Sequence, residues 1–118
     1  MTDIQQLRKG STPMLILSVL AQGKQHGYAI MRQLEQRSEG YFSMTAALLY
    51  PALHQMEQDG LVTSEWEQPG GQHKRKVYAI TPAGRQRLSS GQAEWRQFVD
   101  RLFKTMGGTA NLYMRDPL

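Results

Sequence analysis

Leu49, Leu53 and Met56 fall at i, i+4 and i+7, so they lay one apolar stripe along a helix over about residues 44–60. Ala47, Tyr50, Pro51, His54 and Gln58 fall on its other side, which carries little charge and few bulky aliphatics. A small, polar outer face of that kind can lie against a flat polar surface. Ser43 or Thr45 supplies a cap, and Asp59-Gly60 supplies a C-terminal stop. Leu61 to Trp66 follows at once and reads as a strand. Glu67 to Lys74 is a Gly- and Pro-containing loop, and Arg75 to Thr81 alternates as a return strand.

The pattern upstream predicts two more helices. Residues 1–10 read as a polar arm carrying Arg8 and Lys9. Ser11-Thr12-Pro13 has the cap and early proline of a helix start. Met14, Leu15, Leu17, Val19 and Leu20 make that helix apolar nearly all round, which predicts burial, and Gly23 ends it. His26-Gly27-Tyr28 opens a second helix through about Arg37, with Tyr28, Ile30, Met31 and Leu34 as its apolar face. Beyond the hairpin, Thr81-Pro82-Ala83-Gly84 starts a final helix that runs to Met106 and stops at Gly107-Gly108.

The predicted fold is therefore mainly α with a small β-hairpin. Residues 1–81 form a winged helix-turn-helix, 82–108 a long C-terminal dimerisation helix, and 109–118 an irregular tail. At 118 residues the chain is one domain with a modest core, so help from a second subunit is expected. It has no cysteine, which excludes disulfides and thiolate metal sites and suits the cytoplasm. Met1 to Gly10 lacks the apolar core of a signal peptide, and Met14 to Ala21 is too short to span a bilayer, so no membrane partner is expected. The net charge of +4 permits nucleic-acid binding without requiring it.

In a helix-turn-helix protein the recognition helix enters the major groove of double-stranded DNA, its N-terminal residues foremost. Here those residues are Thr45, Ala47 and Leu48, followed by Tyr50 and His54. Thr45 and the Tyr50 hydroxyl can donate to phosphate, and His54 can reach a base edge or a phosphate. The plain alternative for Tyr50 is a half-buried aromatic packed on its own domain, and for His54 an exposed helix residue. Pro51, inside the helix, either shapes how the first turn meets the groove or is simply a kink. Lys74, Arg75 and Lys76 stand at the hairpin tip beside His73 and Gly70-Gly71. Such a run suits a phosphate backbone, although many cation runs are only a solvated face.

Leu88, Trp95 and Leu102 recur every seven residues, flanked by Phe98, Val99 and Met106. This is a coiled-coil-like seam. It either packs back on its own domain or pairs with a second copy about a two-fold axis. A homodimer would place two recognition helices on successive half-sites, about 34 Å apart. Trp95 then serves as dimer core or as the wall of a ligand cavity between subunits.

Leu49-Tyr-Pro-Ala-Leu53, Glu57-x-x-Gly-Leu-Val62, Lys76-Val-Tyr78 and Thr81-Pro-Ala-Gly84 together resemble the PadR family of bacterial transcriptional regulators. His26-Gly-Tyr28 adds to the likeness, which runs from about Leu7 to Met106. The resemblance implies a winged-helix domain, a C-terminal dimerisation helix and a repressor of nearby genes. It further implies a small aromatic effector stacked on Trp95 in a pore at the dimer interface, lined also by Met14, Ser18, Leu88 and Val99. Two departures stand out. Ala47-Leu48 replaces a Gly-Thr-like pair, which removes one hydroxyl contact to phosphate. Gln72-His-Lys-Arg-Lys76 replaces an arginine-rich wing, which keeps the charge with fewer planar donors.

Two other classes compete with a repressor relieved by a small effector. An enzyme is disfavoured: His26, His54 and His73 are the only histidines, they have no metal-ligand spacing, and no nucleophile elbow or paired carboxylate site is present. No cofactor is implied. A winged-helix protein-interaction adaptor without an effector is the remaining alternative, and the basic wing argues against it.

Overall fold

The computed structural model describes the backbone of residues 3–71 and 73–108, with side chains from residue 10 onward. Helix α1 (Asp3–Leu20) is followed by a two-residue strand β1 (Gln25–His26), α2 (Gly27–Arg37) and α3 (Ala46–Gln58). The hairpin β2 (Val62–Glu67) and β3 (Arg75–Ile80) leads into α4 (Pro82–Met106). The chain is mainly helical with a three-stranded antiparallel sheet of order β1-β3-β2. By contact the protein divides into a unit ending at Leu88 and a second beginning at Ser89.

The first unit is built around one core. Ile16, Leu17, Val19 and Leu20 of α1 meet Ile30 and Leu34 of α2, Leu49, Leu53 and Met56 of α3, and Val62 and Tyr78 of the sheet. The stripe expected on α3 is this buried face, and the all-round apolarity of α1 matches its central place. Leu88 packs partly against the same core. Local signals define the ends of α2 and α3. His26 Nδ1 accepts from the Ala29 N–H at 3.0 Å and caps α2. Gly60, at φ 77°, lets the chain turn directly from α3 into β2.

Two motifs of the sequence lock together beneath α4. The Thr81 hydroxyl accepts from the Gly84 N–H at 3.0 Å, capping α4, and donates to the Gly60 carbonyl at 2.6 Å. The Thr81 N–H donates to the Leu61 carbonyl at 3.1 Å. Gly84 sits so close that a Cβ there would overlap the Leu61 carbonyl oxygen and lie 2.8 Å from Ile80 Cγ1.

Several local expectations are corrected. The Ser11-Thr12-Pro13 start is overridden: α1 is already helical at Asp3, and Pro13 lies inside it. Gln5, Gln6, Leu7, Arg8 and Lys9 are good helix formers, and they carry the helix past the cap signals. Tyr28, assigned to the apolar face of α2, is 62% exposed. Thr45 occupies the N-cap position of α3, but its side chain makes no capping bond. The strand β1 was not expected; it is two residues long, below what a period-2 pattern can reveal. The side chains of Arg8 and Lys9, residue Gln72 and the tail 109–118 lie outside the described residues.

In the second unit, Trp95 and Phe98 make an edge-to-face contact at 5.8 Å and 86°. Asp100 pairs with Lys104 at 3.2 Å and Arg101 at 3.6 Å. The Gly107 N–H donates to the Phe103 carbonyl at 2.7 Å and closes the helix, with Gly107 at φ 85°. No helix among the described residues is long and apolar enough to cross a membrane.

Candidate nucleic-acid interface

The start of α2, the second turn of α3 and the hairpin meet at one open groove of about 580 Å³. From β1 comes His26, which caps α2; from α2 come Gly27 and Tyr28; from α3 comes Tyr50; from the hairpin come Trp66, Lys74, Arg75, Lys76 and Tyr78. Gly27 lets the Tyr50 ring approach the backbone, since a Cβ there would meet Tyr50 Cζ at 2.6 Å and Cε1 at 2.9 Å. Tyr50 is thereby held half in and half out, at 43% exposure: it packs on its own domain and still presents a face to solvent.

The groove is electropositive because its acids are engaged elsewhere. Glu65 and Glu67 alternate with Trp66 and so lie on the other face of β2, where Lys24 Nζ reaches Glu67 at 3.1 Å and Glu65 at 3.8 Å. The hydrogen bond and charge of Glu67, with Glu65 behind them, hold the Lys24 ammonium above its ordinary 10.5. This exposed pair adds little stability. Glu57 accepts from the Ser64 hydroxyl at 2.7 Å and ties α3 to β2. Beneath Tyr50, burial pushes the Tyr78 hydroxyl above its ordinary 10.0, with Tyr50 and Glu57 adding to the rise. Lys74 and Arg75 are exposed, while Lys76 is half-buried with its ammonium 5.8 Å from the Trp66 ring centre.

Of the residues expected to contact DNA, Tyr50, Lys74, Arg75 and Lys76 come together in this groove. Thr45, Ala47, Leu48 and His54 do not line it; they stand exposed along α3, with Leu48 at 49%. His54 Nε2 lies 3.3 Å from Gln58 Nε2 one turn on. Pro51 falls in the second turn of α3 and removes the donor that the Ala47 carbonyl would otherwise take.

Among the residues assigned to an effector, Met14 and Leu88 pack partly against the core of the first unit, and the Ser18 hydroxyl donates to the Leu15 carbonyl at 2.7 Å. Trp95 and Val99 are half-buried in the second unit, where Leu102 is half-buried and Phe98 and Met106 are 45% and 62% exposed. Sequence reasoning missed Tyr28 and Trp66 as groove residues. The signal for Trp66 was a large aromatic placed between two glutamates in a strand, next to a cation run.

The sequence profile described as "Transcriptional regulator PadR-like family" matches residues 16–90, more than half the chain. The chain is 25% identical over 101 residues to the transcriptional regulator YqjI of Escherichia coli, covering 86% of this chain and 47% of that protein. It is 31% identical over 109 residues to the transcriptional regulator Rv3488 of Mycobacterium tuberculosis, covering 92% and 94%. It thus spans about half the length of the first relative and nearly all of the second. Bacillus subtilis PadR, solved in complex with operator DNA, superposes with a TM-score of 0.63 at 25% identity, over 69% of this chain and 45% of that one. The winged-helix fold and the family profile agree, and the chain belongs to the PadR-like family of transcriptional regulators.

Proposed function

We propose that this transcriptional regulator binds operator DNA as a homodimer, represses its target gene and is released by a small aromatic effector. The observation that carries the reading is the groove, in which Tyr50 of α3 and the wing cations Lys74, Arg75 and Lys76 share one electropositive surface. Those groups supply a hydroxyl and three charges suited to phosphate. The B. subtilis relative is named a negative transcriptional regulator and was solved on operator DNA, which supports carrying both properties to this chain. The dimer rests on the line Leu88, Trp95 and Leu102 with exposed Phe98 and Met106, and the effector rests on Trp95. A ligand that prefers one spacing of the two wings would shift the population away from DNA.

A salt titration tests the DNA reading. Each neutralised phosphate contributes about −0.9 to the slope of log affinity against log salt, so two wings engaging all their cations predict a slope of about −5. Lys74→Ala with Arg75→Ala should weaken binding to every duplex and flatten that slope. Absence of duplex binding at low salt would leave the protein-interaction adaptor as the better reading.

A further inference from the structure

Along the hairpin Val62 pairs with Ile80, Ser64 with Tyr78 and Trp66 with Lys76. Paired residues, and every second residue on a strand, share a face, so these six form a single surface. At its base that surface is core: Val62 is 1% and Tyr78 5% exposed, and Ile80 packs against the cluster. Farther out the surface outruns the core, and Trp66 is left 63% exposed over the groove. Tyr28 lines the same groove, 62% exposed, with the Arg32 guanidinium 5.8 Å from its ring centre. An indole kept in water on the core-facing side of a strand, flanked by cations, is unexplained by packing within the unit.

We propose that Trp66, with Tyr28, grips the sugar–phosphate backbone of duplex DNA. Their rings pack on the apolar faces of deoxyribose, while Lys74, Arg75 and Lys76 neutralise the phosphates on either side. The occupant follows from position and chemistry. A recognition helix in the major groove and a wing on the adjoining minor groove are separated by one backbone strand, and the surface joining α3 to the hairpin is this groove. A backbone strand alternates apolar sugar faces with anions, which complements alternating rings and cations. The inference rests on the DNA-binding reading and adds to it an uncharged, sequence-independent contact. The Lys76 ammonium lies 5.8 Å from the indole ring centre, so ring and cation stand side by side on this surface.

The test uses the full chain and a fluorescein-labelled duplex of mixed sequence, about 30 base pairs long, long enough for two half-sites. Binding is followed by anisotropy across a salt series. A ring face of roughly 60 Å² removed from water is worth about tenfold in affinity, so Trp66→Ala, which removes one ring from each of two wings, should lose about a hundredfold at every salt concentration. Its line should run parallel to that of the wild type, because no charge is lost. Trp66→Phe should recover most of the loss. Lys76→Gln, which removes one charge from each of two wings, should instead reduce the magnitude of the slope by about two. An equal melting temperature for Trp66→Ala, which alters an exposed side chain, establishes that the fold is intact. Wild-type affinity in Trp66→Ala overturns the grip and leaves DNA binding standing. A loss accompanied by the flattened slope of Lys76→Gln also overturns it, because Trp66 would then act only through Lys76. A wild type that binds no duplex at low salt overturns both readings together.

Discussion

The Tyr50 ring lies against the backbone of Gly27 so closely that a Cβ on Gly27 would come within 2.6 Å of Tyr50 Cζ. This contact sets α3 against the start of α2 and fixes how far Tyr50 projects into the groove. It also explains why a glycine stands at the first position of a helix, where it has no need of a positive φ.

Gly27→Ala isolates that contact. Alanine is the better helix former, so propensity alone predicts a gain. The overlap is with the free end of a side chain, which can swing away, so the net destabilisation should be small, about 1 kcal/mol at the low end for overpacking. Duplex affinity should fall more visibly, because the ring leaves its seat. In a Tyr50→Ala background the same Gly27→Ala change should be silent or stabilising. A double-mutant cycle by urea denaturation and duplex titration measures the coupling, and additive effects would disprove it.

Gly84 makes the contrasting case, because the atom facing it is the Leu61 backbone carbonyl rather than a mobile ring. Gly84→Ala must displace β2 or the start of α4 and should cost about 3 kcal/mol. Thr81→Ala removes the cap of α4 and the bond to the Gly60 carbonyl, and should cost about 1–2 kcal/mol. Thr81→Ser keeps both bonds and should restore most of that loss. Denaturant midpoints at unchanged m-value are the readout, and a Gly84→Ala protein as stable as the wild type would rule out the clasp.

These glycines show which parts of the molecule were legible beforehand. The apolar spacing of Leu49, Leu53 and Met56 was enough to place α3, because all three face one core. The helical stops at Gly60 and Gly107 were legible because each needs a positive φ. The start of α1 departs from its local Ser-Thr-Pro signal because a longer stretch of good helix formers precedes it and prevails. In the groove, Tyr50 and the wing cations were found from their order along the chain. Tyr28 and Trp66 were not, because both look like ordinary core aromatics in sequence. Their exposure depends on where the core ends, which only the three-dimensional packing of α2 and the hairpin decides. The same limit applies to Leu88, whose heptad spacing does not reveal that it also packs on the core of the first unit.

Tyr78 gives the fold a pH dependence on the alkaline side. Burial, with Tyr50 and Glu57 nearby, raises its hydroxyl above the ordinary value of 10.0. The folded protein therefore holds the proton more tightly than the unfolded chain does. The contribution is fully present below pH 10.0 and is lost as pH rises through the raised folded value. Tyr78→Phe keeps the ring and removes the titration, so its stability should fall less steeply above pH 10 than that of the wild type. Lys24, also raised, titrates in the same region but is fully exposed, so Lys24→Gln should leave most of the alkaline loss in place. Urea denaturation from pH 8 to 11 distinguishes the two, and an unchanged alkaline slope in Tyr78→Phe would refute the assignment.

The second unit carries the predictions about assembly and effector. Trp95 and Phe98 touch edge to face, yet Phe98 remains 45% exposed, and Met106 at the end of the same helix is 62% exposed. If this face is the seam of the homodimer, a charge placed on it is buried unpaired at the two-fold axis, where it is costly. Phe98→Asp should then sediment as a monomer. It should lose most of the affinity gained by engaging two half-sites at once, while keeping weak, salt-sensitive binding through a single wing. A Phe98→Asp protein that remains dimeric would place the interface elsewhere. Trp95→Ala asks a different question. It trims the seam without adding charge, so the dimer and duplex binding should survive, whereas affinity for a planar dye such as acridine orange should fall at least tenfold, about the 1.4 kcal/mol expected for one stacked ring. The dye is followed by its own fluorescence, because Trp66 contributes to any signal read from the protein. Unchanged dye binding in Trp95→Ala would remove Trp95 from the effector site while leaving the dimer, tested separately by Phe98→Asp, untouched.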